Sequence, residues 1–376
     1  MRRSWVVAAA VAFVLGMVAV RWDARTGFTS LLRFGESAQR PRIPALAGVR
    51  IATVPGIGYD GQAYAQLAVS PDVRDPAVRA ALDSAPYRAR RILLILSAHV
   101  LGMGSPSFTL EVYAVQNVVL WLALGWLLWR ELSPVPVDRA AAAWCCCMLS
   151  LGALDSIRMG LVDLAPVVFL AWGIRRLRSG RPGSAVVAFA FAGLSRETSL
   201  VGGGFLTGPP RGRPRWLQMS SGALRWAVAA APVLAWAAWL HWNIPGSGAP
   251  IRGNLDWPVS AFARSCATCA RHLAAGDFDT RYVFGLLGGL GLAFQSAWLL
   301  ARPQWSEPWW RAGAGTAILF WFLGGAVWHG YWAVARVALP MTVAFNLLSP
   351  RDRWFWMRLS AANLPLLVHG IWRMLP

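Results

Sequence analysis

The chain contains no lysine, so all 36 of its basic residues are arginine. Acid is scarce too, with 17 Asp and Glu together, and charged residues fill 14% of the 376 positions, where soluble domains carry about 25%. With 56% hydrophobic residues and a mean hydropathy of +0.45, that scarcity excludes a disordered chain and a water-soluble globule. The five cysteines say little. Cys145, Cys146 and Cys147 run consecutively inside an apolar stretch and read as small hydrophobes. Cys266 and Cys269 form a single C-x-x-C with His272 behind it. A structural zinc site needs about four ligands and no second pair exists, which leaves a disulfide or two plain thiols. There is neither an internal repeat nor a low-complexity segment, which weighs against an inverted-repeat transporter.

What is present is a series of apolar runs punctuated by arginine. The net charge of +19 forms no stripe or tail. It is distributed between the runs, where it reads as topology signals and lipid-headgroup contacts rather than a nucleic-acid surface. The 23 tryptophans suit interfacial anchoring, since indole joins an apolar body to one polar N–H. The pattern predicts an all-α polytopic membrane protein of about 9–11 hydrophobic helical segments, forming a single integral-membrane domain over 1–376. Its expected parts are a first span at 5–20 with a cytoplasmic N-terminus, an extracytoplasmic loop over 21–107 carrying interfacial helices, and a helical bundle over 108–376 with a further outer loop near 243–280. In the bundle the runs are Phe108–Trp129, Ala140–Leu154, Gly160–Ile174, Ser184–Leu206, Leu224–Trp242, Tyr282–Leu300, Ala312–Trp328, Tyr331–Leu348 and Trp354–Met374.

The positive-inside rule resolves two short segments. If Ile92–Gly104 lies along the surface and Ser184–Leu206 folds as a hairpin of two short helices, then Arg175, Arg176, Arg178, Arg181, Arg211, Arg213, Arg215, Arg351 and Arg353 all fall on the cytoplasmic side. Asp155 to Asp163 then forms a short outer turn, and His329-Gly330 another.

Charged groups beside apolar runs are functional candidates, because burying them is costly. Asp60, in Tyr59-Asp60-Gly61-Gln62-Ala63-Tyr64, opens a surface helix and is flanked by glycines that let a ligand approach. It is a candidate general base, or simply a helix cap. Arg88, Arg90 and Arg91 follow Tyr87 and suit bidentate contact with phosphate, or generic contact with anionic headgroups. Asp155 and Asp163, with Arg158 between them, add acid on the same side. They either work with Asp60, with room for a divalent metal such as Mg or Mn at Asp60 and Asp155, or form an Asp155–Arg158 salt bridge. Arg196 and Glu197 mark the hairpin apex, as chemistry or as a pair that fixes packing. Tyr331, His329 and Arg336 are later candidates of the same kind.

The order of these features resembles the GT-C superfamily of integral-membrane glycosyltransferases. More narrowly, Tyr59-Asp60-Gly61-Gln62, the run Tyr87, Arg90, Arg91, Ile92, Leu93, and Arg196-Glu197-Thr198 are similar to bacterial inner-membrane proteins of cell-surface glycopolymer formation. The resemblance covers residues 1–200 well and the remainder loosely. It implies a sugar donor carried on polyprenyl phosphate and transfer, with inversion, to a cell-envelope glycan or lipid acceptor on the extracytoplasmic face. Asp60 and Asp155 then match the catalytic acids, and Arg88, Arg90, Arg91 and Arg196 the donor-phosphate contacts. Tyr59, Gln62, Tyr64, Glu197, Arg158, Asp163, His329 and Arg336 support them. Departures from the superfamily are the lone Asp60 where many members have an acidic pair, and the lack of an appended periplasmic domain. A flippase for a polyprenyl-linked glycan and a non-catalytic scaffold of the same fold stand as alternatives.

Overall fold

A computed structural model describes residues 4–203, 215–244, 253–351 and 353–376. Arg211 and Arg213, which entered the topology argument, lie outside the described residues. The chain is mostly helical. After α1 (Ser4–Ala19) comes a region of short elements: a 3₁₀ turn at Thr29–Leu32, then β1 (Phe34–Gly35) paired in parallel with β2 (Thr53–Val54), Phe34 opposite Thr53. Four helices follow, α2 (Asp60–Val69), α3 (Pro76–Ala81), α4 (Ala85–Ala89) and α5 (Ile92–Leu101). The bundle begins with α6 (Pro106–Glu131), α7 (Val137–Met148), α8 (Leu151–Arg158), α9 (Leu164–Arg178), α10 (Pro182–Ser195), α11 (Ser199–Gly203) and α12 (Arg215–Asn243). It ends with α13 (Ser260–Ala274), α14 (Thr280–Leu300), α15 (Pro308–Phe322), α16 (Gly325–Trp328), α17 (Tyr331–Val337), α18 (Leu339–Leu348) and α19 (Phe355–Met374).

Among the described residues, three helices are long and apolar enough to cross a membrane: α6, the Ser221–Asn243 part of α12, and α14. Two bent pairs, α7 with α8 at 46° and α17 with α18 at 60°, raise that number to five if each pair is one span. Several runs that read as single segments are thus broken. At the first break Ser150 caps α8 by accepting from the Ala153 N–H, while Trp121 Nε1 on α6 donates to the Met148 carbonyl at 2.8 Å. Both sides of the interruption are satisfied, as a buried break requires. Pro340 sits in the first turn of α18, where its missing N–H costs nothing, and marks the second bend.

α6 is the spine. Leu110, Tyr113, Ala114, Trp121, Leu124 and Leu128 recur at helical spacing and have no exposed surface. Its polar side chains hold the end of α8: Asn117 Nδ2 donates to the Leu161 carbonyl at 2.7 Å and the Tyr113 hydroxyl to that of Gly160 at 3.2 Å.

Two expectations for the N-terminal region change. α2 is no surface helix, since Tyr64, Ala65, Leu67 and Ala68 are buried against α5 and α6. And the glycine after Asp60 admits protein, not ligand: a Cβ on Gly61 would stand 2.1 Å from the Met159 carbonyl oxygen. Gly61 therefore lets the N-terminus of α2 meet the turn after α8. Gly58, at φ 80°, makes the reversal into α2, and the Tyr59 N–H then donates to the Arg33 carbonyl at 3.0 Å.

The loop near 243–280 holds a 15-residue helix, α13. Cys266 and Cys269 are both free thiols on it, and His272 contacts Asp277 at 3.0 Å.

Candidate functional site

Asp60 is the first residue of α2, behind the cap residue Tyr59, which makes no side-chain capping bond. Capping is therefore not its role, although a carboxylate in a first turn is favoured by the helix dipole. Instead Asp60 Oδ1 accepts from Arg88 Nη2 at 2.8 Å. Arg88 leaves the last turn of α4 and also grips Asp83 with two bonds, Nε to Oδ1 at 2.9 Å and Nη2 to Oδ2 at 2.7 Å. Its guanidinium is almost wholly buried, while the Asp60 side chain keeps 33% of its surface. Burial pushes the Asp60 carboxyl up, but the charge and hydrogen bond of Arg88 outweigh that and leave it below the usual carboxylate value. Asp83 is lowered by the same balance. Asp60 opens on a cavity of about 300 Å³ that Arg40, Arg42 and Gln39 also line.

A second set of pairs continues from this one. Arg91, buried, donates to the Tyr64 hydroxyl and to the Tyr87 hydroxyl at 2.8 Å, and its Nε lies 3.8 Å from Glu197 Oε2. Between α10 and α11 the backbone is extended at Arg196, with φ −161° and ψ 119°. The sequence places a hairpin apex there, and the structure has a helix break. The break turns Arg196 toward Asp163, a buried carboxylate that also holds Arg336 at 3.2 Å. Arg336 donates as well to the Tyr59 hydroxyl at 2.9 Å, which receives a further bond from Trp332 Nε1 at 3.1 Å.

The result is two sets of pairs, joined through the chain neighbours Tyr59-Asp60 and Arg196-Glu197, that together reach α2, α4, the α10–α11 break and α17. Their arginines 88, 91, 196 and 336 are matched by Asp60, Asp83, Asp163 and Glu197. Arg196 and Glu197 do not pair with each other, as one reading had it; each reaches a different helix.

The other candidates lie elsewhere. α8 runs to Arg158, so Asp155 is on a buried helical turn and not in an outer loop. Its ion pair is with Arg373 Nε at 3.1 Å and not with Arg158. Arg90, half-buried at the end of α4, joins none of these pairs. His329 is exposed beside a different cavity. Gln62 staples the reversal before α2, accepting from the Gly35 N–H at 3.1 Å and donating to the Ile57 carbonyl at 2.9 Å. No three His, Cys, Asp or Glu side chains come together to hold a metal among the described residues, and Asp60 and Asp155 belong to separate ion pairs.

Sequence reasoning missed Asp83, Trp332, Arg33 and Arg373. Asp83 was within reach, being five residues before Arg88. The partnership of Asp155 with Arg373 spans most of the chain, and no local pattern announces it. Compared with known proteins, the chain matches no family model, no curated protein and no solved structure.

Proposed function

We propose that the chain is a bacterial inner-membrane glycosyltransferase that moves a sugar from a polyprenyl-phosphate donor to a cell-envelope glycan or lipid acceptor. The observation that carries this reading is Asp60. It is an ionised, part-exposed carboxylate at the mouth of a cavity, fixed by a buried arginine and surrounded by further arginines at one end of an apolar bundle. A carboxylate so placed accepts a hydrogen bond from an acceptor hydroxyl and orients it. In the displacement, the acceptor oxygen attacks the anomeric carbon as its proton passes to Asp60. The bond between that carbon and the phosphate oxygen breaks, and its electron pair leaves with the phosphate. The product has inverted configuration.

Arg88, Arg91 and Arg196 act here as the frame that holds Asp60, Tyr59 and the α10–α11 break in register, because each is already matched by a carboxylate. Tyr59 and Tyr64 receive hydrogen bonds from that frame. The test is transfer of radiolabelled sugar from a panel of polyprenyl-phosphate donors in proteoliposomes. Transfer by the wild type and its loss in Asp60→Asn is the expected result. Full transfer by Asp60→Asn overturns the assignment.

A further inference from the structure

Beside the matched network lies a cavity of about 600 Å³ with the opposite character. The end of α8 gives it Arg158, the end of α19 gives Arg373, the start of α14 gives Arg281, and the segment before β1 gives Arg33; Trp332 and His369 complete the wall. No Asp or Glu side chain lines it. The nearest buried carboxylate, Asp155, stands behind Arg373. Arg281 is exposed and has its own partner in Asp279 at 3.7 Å. Among Asp and Glu side chains, Asp155 is thus the one that Arg33, Arg158 and Arg373 have between them.

The local geometry makes that excess more telling. Among the described residues, Arg158 Nε is buried and has no hydrogen-bond partner. Arg373 Nε is in ion-pair range of Asp155 but outside hydrogen-bond geometry, and both Asp155 oxygens also lack a hydrogen bond. Arg33 holds a left-handed conformation, φ 57° and ψ 47°, costly for a side-chain-bearing residue. Burial, and then the nearby charge of Arg373, push its guanidinium pKa down. Half-buried guanidiniums of like charge crowded around an open volume are arranged for an anion that is not part of the chain.

We infer that the cavity walled by Arg33, Arg158 and Arg373 is a binding site for a phosphate dianion. Guanidinium forks match phosphate oxygens in bidentate fashion, and two negative charges balance the surplus of three arginines over Asp155. Trp332 is a wall shared with the Asp60 network: its face lies 5.2 Å from the Arg373 guanidinium while its Nε1 donates to Tyr59. A phosphate bound here sits one side chain away from the candidate base. The inference requires only a phosphate-bearing ligand and stands whether or not the chain transfers sugars.

The competing explanation is that Arg158 and Arg373 merely complement the C-terminal dipoles of α8 and α19. The two are separated by binding to the purified full chain in detergent, followed as thermal stabilisation by inorganic phosphate and by pyrophosphate. A parallel arm uses nanodiscs of zwitterionic lipid with and without phosphatidic acid. Arg33→Gln and Arg158→Gln are compared with Arg74→Gln, which removes the same charge from an exposed site. Saturable stabilisation of the wild type is expected, weakened roughly tenfold or more in affinity by either pocket variant, unchanged in Arg74→Gln, and largely restored in Arg158→Lys. Response to both arms points to free phosphate as an adequate ligand, and response to phosphatidic acid alone to a lipid headgroup; either supports the site. No saturable response in either arm, or equal affinity in wild type, Arg33→Gln and Arg158→Gln, overturns it. Using two variants guards against Arg33→Gln simply failing to fold.

Discussion

Two arginine clusters share one end of this molecule and solve the problem of buried charge in opposite ways. Around Asp60, Arg88, Arg91, Arg196 and Arg336 each meet a carboxylate, and the tyrosine hydroxyls of 59, 64 and 87 accept further donors, although the Nε groups of Arg91, Arg196 and Arg336 make no hydrogen bond. Around Arg158 the guanidiniums outnumber the acid. A neutral network is rigid and specifies geometry; a charge-rich pocket stores repulsion that a ligand relieves. Arginine count alone therefore does not locate an anion site. What locates it is arginine left over after the carboxylates are assigned.

The largest effect that separates the two clusters is expected at Asp163. Asp163→Asn leaves Arg196 and Arg336 buried without a counter-charge, a loss on the order of 3–5 kcal/mol that chemical unfolding in detergent measures. A loss below about 1 kcal/mol would show the network to be solvated and loose. Next comes Gly61→Ala, whose Cβ collides with the Met159 carbonyl. Forcing α2 off the α8 turn should cost about 1–3 kcal/mol, read from the same unfolding curves. The charge-rich pocket predicts the reverse sign. Arg158→Gln lightens the crowding among Arg33, Arg158 and Arg373 and should leave stability unchanged or slightly raised without ligand, by thermal melting. A clear fall in melting temperature would mean that Arg158 is a structural cap.

The smallest effect is that of pH. Asp60 and Asp83 titrate below the ordinary carboxylate value of 3.8 in the folded chain. Their contribution is complete above that value. As pH falls through it the unfolded chain takes up protons first, and the contribution is gone once the folded carboxyls are protonated too. Melting temperature should therefore be insensitive to these pairs from neutrality down to about pH 5 and decline below about pH 4. Asp60→Asn should flatten part of that decline.

How far the sequence foretold this arrangement can be argued residue by residue. The helical class was legible, because composition and run length depend on no tertiary detail, whereas of the 9–11 expected segments three to five among the described residues are long and apolar enough to span. A short helix at Ile92–Leu101 and an interruption near Arg196 were also expected, the latter as a hairpin apex where the structure has a helix break. Among the site residues, Asp60, Arg88, Arg91, Arg196, Glu197, Asp163, Arg336, Tyr59 and Tyr64 do converge. Their pairing was not legible. Asp60 and Arg88 are joined across 28 positions and Asp163 and Arg336 across 173, and nothing in a local pattern selects one arginine over another. Asp155 was misplaced for a simpler reason: its apolar run was taken to stop at Leu154, whereas Ser150 starts a new helix that carries the chain to Arg158.

The most direct measurement compares two carboxylates that share one arginine. Asp60 and Asp83 both bind Arg88, but only Asp60 stands at the start of α2 beside Tyr59. Sugar transfer in proteoliposomes should fall at least about a hundredfold in Asp60→Asn, while Asp83→Asn stays within about tenfold of wild type because Asp60 still holds the guanidinium. Equal loss in the two variants, or full transfer by Asp60→Asn, would contradict a role for Asp60 as the base.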